Sequence, residues 1–162
     1  MGRPLHRGRL TACLLTLILV LSGSSAAAGS SEVIDRQSAE FLSFLRGQSP
    51  EAAALMDRAA AILVFPEMVA MGFGQGGRYG EGSLLVGGEA RSYYVTAGEA
   101  TGPEAQLLLF MDAAALAEFS DDRSWRTASE PSAESVIRLG WRNGDLQVGL
   151  PLAGSKYTRV NK

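Results

Sequence analysis

Residues Gly72-Phe73-Gly74-Gln75-Gly76-Gly77 spell G-x-G-x-x-G, a pattern that cradles a dinucleotide pyrophosphate when it joins a strand to a helix. That chemistry requires a helix opening on the last glycine, because its first N–H groups hold the phosphate. Here Arg78-Tyr79-Gly80-Glu81-Gly82 follows, and two more glycines so close forbid a stable helix start. A Walker loop needs Gly-Lys-Ser/Thr, which the chain lacks. Its only lysines, Lys156 and Lys162, supply no strand lysine downstream of a kinase-type glycine loop. The glycines form a false nucleotide fingerprint.

Other chemistry is narrowed by what is missing. The single histidine, His6, and the single cysteine, Cys13, both fall in a segment that reads as an export leader. Zinc sites normally draw on Cys or His, and Ser-His or Cys-His nucleophiles need a base; residues 29–162 offer neither. A carboxylate pair such as Glu81 with Glu99 is the glycosidase-type option, and nothing in the sequence brings the two together. No catalytic residue, metal ligand or cofactor is expected, and the chain reads as a non-enzyme.

The leader reading rests on three features of residues 1–28. Arg3, Arg7 and Arg9 form a basic start, Leu10 to Leu21 an apolar run, and Ala26-Ala27-Ala28 a small-residue cleavage site. The run is shorter than the ~20 residues of a spanning helix. Leu10-Thr11-Ala12-Cys13 looks like a lipoprotein box but sits too early in that run. The sequence therefore predicts export to a bacterial periplasm and one domain over residues 29–162. The whole chain carries 15 basic and 17 acidic residues. Three of the arginines leave with the leader, and the acidic balance that remains argues against a nucleic-acid partner.

The elements that would position a site come next. Ile34, Ala39, Phe41, Leu42 and Leu45 recur at helical spacing over residues 32–46, with Ser31 as a cap and Gly47 as the stop. Pro50 suits the first turn of a second helix. From Ala61 the pattern turns to short strands: "AILVF" closed by Pro66, the glycine-rich stretch, "RSYYVTA" and "QLLLFMD". "AAALAEF" reads as one or two helical turns. A hairpin is predicted about Asn143-Gly144. Residues 120–135 read as a polar loop, and Pro103 removes a donor from any central ladder. Helices first and strands after give an α+β class.

Gly72, Gly74 and Gly76 fall two apart, so the sequence places them on one face of a strand, and Gly80 and Gly82 repeat the device. Glycine in strands marks close backbone approach, a bend or a barrel corner. The expectation is a mostly antiparallel, strongly coiled, barrel-like sheet. The blocks "AAAILVFPEMVAMGFGQGGRYGEGSLLV", "YYVTAG", "LLLFMDAAALAEF" and "GLPLAGSKYTR" closely resemble the SYLF domain family over residues 59–160. That resemblance implies a barrel-like sheet with N-terminal helices and a lipid-binding module rather than an enzyme. It makes anionic headgroups or an acyl chain the expected partner. Eukaryotic relatives are associated with phosphoinositides, and yeast-type relatives with actin. Arg78, Lys156 and Arg159 match positions beside the family's glycine blocks, and Arg91 lies near them in sequence. The four are the expected basic rim for a headgroup. A structural or protein-interaction role in the envelope, without lipid, is the alternative.

Overall fold

A computed structural model describes residues 25–72, 76–126, 131–132 and 134–162, with side chains from Ser30 onward. Residues 1–24, which carry most of the leader reading, lie outside the described residues, as does Gly74. The elements are α1 (Ser25–Gln48), α2 (Pro50–Arg58), β1 (Ala61–Phe65), β2 (Met68–Met71), β3 (Gly77–Val86), β4 (Glu89–Glu99) and β5 (Ala105–Phe110). They continue with α3 (Ala113–Asp121), β6 (Ser124–Arg126), β7 (Val136–Arg142), β8 (Asp145–Val148) and β9 (Lys156–Val160).

Local chemistry accounts for most boundaries. The first helix takes in Ala26 to Ala28, good helix formers read in the sequence as a cleavage site. Ser49 caps α2 by accepting from the Ala52 N–H at 3.1 Å, with Pro50 in the first turn. Asn143 and Gly144 take φ of 52° and 84°, the left-handed pair that a tight hairpin between β7 and β8 requires. Pro103 falls between β4 and β5, so it interrupts no ladder. The polar stretch 120–135 contains β6, which the sequence had as loop.

All the strands join one antiparallel sheet in the order β6-β9-β4-β3-β1-β5-β7-β8, with β2 beside β3. This corrects the expectation of a strongly coiled, barrel-like sheet. A barrel pairs its first and last strands and has no edge, whereas β6 and β8 each have a single neighbour at opposite ends of this path. Those end strands have three and four residues. The α+β class with leading helices stands; the closure does not.

Both faces of the open sheet are covered. On one, Val64, Leu107, Leu109 and Leu139 meet Leu45 of α1 with Ala52 and Met56 of α2. On the other, Leu63, Phe65, Leu84 and Leu108 join Tyr94, Tyr157 and Trp125 around Phe119 of α3. The Phe119 ring lies 4.7 Å from Phe110, 4.8 Å from Tyr94 and 5.2 Å from Trp125 between centroids, within the range where aromatic pairs add to simple burial.

Candidate functional site

The site begins with a single extra residue. Val64 pairs with Ser83 and Met68 with Gly80, so Phe65, Pro66 and Glu67 stand opposite only Gly82 and Glu81. Such a bulge bends its strand, and Pro66 cannot donate to the ladder. The bend sets β2 off from β1 and leaves a hollow beneath α1. Its volume is about 520 Å³, walled by Val33, Ile34, Val69 and Tyr79, with Gln37 and Glu67 at its edge. A second hollow of about 360 Å³ adjoins it through Gln37, Pro66 and Glu67 and runs to Phe41 and Phe44.

Five large apolar side chains are exposed among the described residues, and four belong to this side of the molecule. Val33, Phe44, Val69 and Met71 are 40–46% exposed. Val69 and Met71 stand opposite Tyr79 and Gly77, and directly opposed residues share a face. That face is the one α1 covers, since Ser83, in step with Tyr79, bonds Ser38 of α1 at 3.1 Å.

The polar wall of the hollow is held by its own contacts. Tyr79 donates its hydroxyl to Glu81 Oε1 at 3.0 Å, and Lys162 Nζ donates to Oε2 at 2.7 Å. Lys162 is the chief reason that the Glu81 carboxyl sits below its ordinary pKa. Burial, then Glu81, raises the Tyr79 phenol. Behind the wall Tyr93 donates to Asp35 Oδ2 at 2.8 Å, while Asp35 Oδ1 is buried without a partner among the described residues. Among the described residues no cation lines the larger hollow. Its surface suits an apolar chain and repels an anionic headgroup.

The cations expected from the sequence do not gather there. Arg78 donates to the Met68 carbonyl at 2.8 Å and the Ala100 carbonyl at 3.3 Å, pinning β2 and the end of β4. Arg91 pairs with Glu89 at 3.0 Å. Arg159 reaches the Tyr94 hydroxyl at 3.3 Å and lies over that ring. Arg159 stands opposite Tyr94 and Arg78 opposite Gly98, on the aromatic face and about 17 Å apart by strand spacing. Lys156 follows the opposite parity, toward the helices. Glu81 and Glu99 are also apart: Glu81 opposes Val95 and Glu99 opposes Gly77. Their Cα atoms are about 14 Å apart, beyond the ~5–9.5 Å carboxyl spacing of glycosidases.

The glycines divide by task. Gly72 has φ of 83° and ends β2 in a bend, and Gly76 precedes β3; the two therefore mark the β2–β3 turn rather than one strand face. Gly80 and Gly82 lie in β3 under the β1–β2 backbone, where a side chain would collide. The sequence reading missed the hollow itself, although Pro66-Glu67 between two apolar runs was its signal. It also passed over Arg138, a charge inside the apolar strand "VIRLGW". Among the described residues there is no grouping of three metal-ligating side chains, and no helix is long and apolar enough to cross a membrane. No protein-family model matches the chain, and no curated protein does.

Proposed function

We propose that the chain is a non-catalytic lipid-contacting module of SYLF type, acting in the periplasm, and that the hollows along α1 receive an acyl chain. The observation that carries this reading is that exposed Val33, Val69 and Phe44 line two adjoining hollows, with exposed Met71 on the same sheet face as Val69. Exposed apolar side chains are ordinary when scattered, and meaningful when they gather at a groove. Mostly apolar walls with a few oriented polar groups are also what small-ligand sites present.

The test is lipid mass spectrometry on protein purified from its own compartment, joined to titration with cis-parinaric acid, whose fluorescence rises in an apolar site. Co-purified lipid and a saturable rise are expected, both reduced in Val33→Asp and Val69→Asp. Neither lipid nor a fluorescence rise would overturn the reading. Flotation on anionic vesicles at low and high salt addresses the basic residues. Lys156→Glu is the cleaner variant there, because Arg78 also holds two backbone carbonyls.

A protein-interaction module of the envelope is the second reading. It is favoured by β2, whose one neighbour is β3 and whose last three residues are exposed. Glu104 and Arg78 take the N–H and carbonyl of Met68, and the rest of such an edge, beside apolar side chains, is a template for strand addition. Failure of every lipid arm, with a change in sedimentation on Val69→Lys, would select it.

A further inference from the structure

A different cavity carries an inference independent of the α1 hollows. Arg138 stands opposite Leu108 in the β5–β7 ladder and so shares the aromatic face with it. Its Nε donates to Gln106 Oε1 at 2.9 Å and its Nη1 to the Pro151 carbonyl at 2.7 Å. Both acceptors are neutral. Among the described residues no carboxylate forms an ion pair with this guanidinium. Gln106 is 1% exposed and, among the described residues, offers its amide N–H only to the Met68 sulfur, at 3.8 Å, a weak acceptor. The Arg138 carbonyl accepts from the Gly149 and Leu150 N–H groups, which draws residues 149–151 across the end of the sheet.

Tyr157 adds a second unmet donor. Its side chain is fully buried, and its hydroxyl has no hydrogen-bond partner among the described residues. Burial raises the phenol, while the charge of Arg138 and the nearby Ser155 hydroxyl oppose that shift. Arg138 and Ser155 are each only partly buried. Both line a cavity of about 390 Å³ with Gly154, Leu150 and Glu99. An apolar hollow of about 450 Å³ shares Arg138, Leu150 and Pro151 and continues over Val136, Ile137 and Val148.

Half-buried guanidinium charge without an anion, with the Ser155 hydroxyl at the same cavity, is an arrangement that an incoming oxyanion completes. Arg presents a planar fork of N–H groups matched to carboxylate or phosphate oxygens. The adjoining apolar hollow suits an anion that carries a hydrocarbon tail, and Glu99 at the wall disfavours a second negative charge. We infer that the Arg138 cavity binds a monoanionic carboxylate with an apolar tail, held by Arg138 and Ser155, which both line it. Inorganic phosphate offers the same oxyanion chemistry from a free source, so the test must separate the two.

The experiment is calorimetric titration of the leader-processed protein with octanoate, acetate and inorganic phosphate. Saturable octanoate binding is expected, at least about tenfold tighter than acetate for the buried methylenes. Arg138→Gln should abolish it. Because that change also removes the bond to the Pro151 carbonyl, Ser155→Ala serves as the second variant. It should leave Tm nearly unchanged while weakening octanoate about tenfold. Val69→Asp, which disables the α1 hollow, isolates this binding, and Arg138→Gln in that background should leave none. Three results would each overturn the assignment: phosphate or acetate binding as tightly as octanoate, octanoate affinity unaltered by Ser155→Ala, or binding lost in Val69→Asp and kept in Arg138→Gln. Absence of saturable octanoate binding would overturn it as well.

Discussion

A methyl group built on Gly82 would press on the Val64 carbonyl oxygen and approach Phe65 Cδ1 to 2.8 Å. The first of these is backbone inside a paired strand and has nowhere to go. At Gly80 the nearest atom is the Met68 sulfur, the flexible end of a side chain, with the Glu67 carbonyl at 3.0 Å. Overpacking typically costs 1–3 kcal/mol and depends on what yields. Gly82→Ala should therefore lose about 3 kcal/mol and Gly80→Ala about 1 kcal/mol, read as shifts in urea midpoint. Equal losses would contradict the close-approach account. The Glu81–Lys162 pair supports a second prediction at this scale. The Glu81 carboxyl is lowered from its ordinary 4.5, chiefly by Lys162. Its stabilising effect is thus present above the unfolded value and lost as pH falls through the folded one. The pair is partly exposed, so Lys162→Ala should cost only about 0.5 kcal/mol at pH 7. Wild type and variant should become indistinguishable once acid has protonated Glu81. A gap that persists in acid, or survives molar salt, would assign the effect to packing.

Among the elements, α2 is the clearest case of a boundary set by one atom. The Ser49 hydroxyl satisfies the Ala52 N–H at 3.1 Å, and the nine-residue helix it starts lays Ala52 and Met56 on the sheet. Ser49→Ala should cost about 1 kcal/mol, and Ser49→Gly only a few tenths; a denaturation series on the two variants measures the difference. If both cost the same, the cap is not what anchors α2. Signals of this local kind are why so many elements were readable in advance. Helical spacing disclosed the body of α1, Pro50 the second helix, "AILVF" and "QLLLFMD" the two central strands, and Asn143-Gly144 the terminal hairpin. What could not be read depends on partners distant in sequence. β2 and β6 have four and three residues and exist because β3 and β9 pair with them. Closure failed as an expectation for the same reason, since only the pairing path decides whether β6 meets β8. The basic rim was assembled from sequence neighbourhood, whereas register parity sends Arg78 and Arg159 to one face and Lys156 to the other.

At the scale of the whole molecule, β5 serves both cores, as its neighbour β1 does. Every residue of β5 is buried. Its alternate positions feed opposite layers, Leu107 and Leu109 the helical one and Leu108 and Phe110 the aromatic one. The two tryptophans divide between these layers. Trp125 packs in the aromatic cluster against Phe119 and Tyr157. Trp141 borders the helical cluster and meets Phe44 of α1 edge-on at 4.9 Å. Single-tryptophan proteins made by Trp125→Phe or Trp141→Phe thus each report one side of the sheet. If β5 couples the layers, both reporters should follow the same denaturation curve, as an all-or-none transition requires. Leu108→Ala, whose side chain lies in the aromatic layer only, should move both curves together by about 3 kcal/mol. Two separated transitions, or a shift confined to Trp125, would mean that the helical layer is an independently folding cover. The α1 hollows would then open without disturbing the sheet beneath them, and a ligand there would stabilise the Trp141 transition alone.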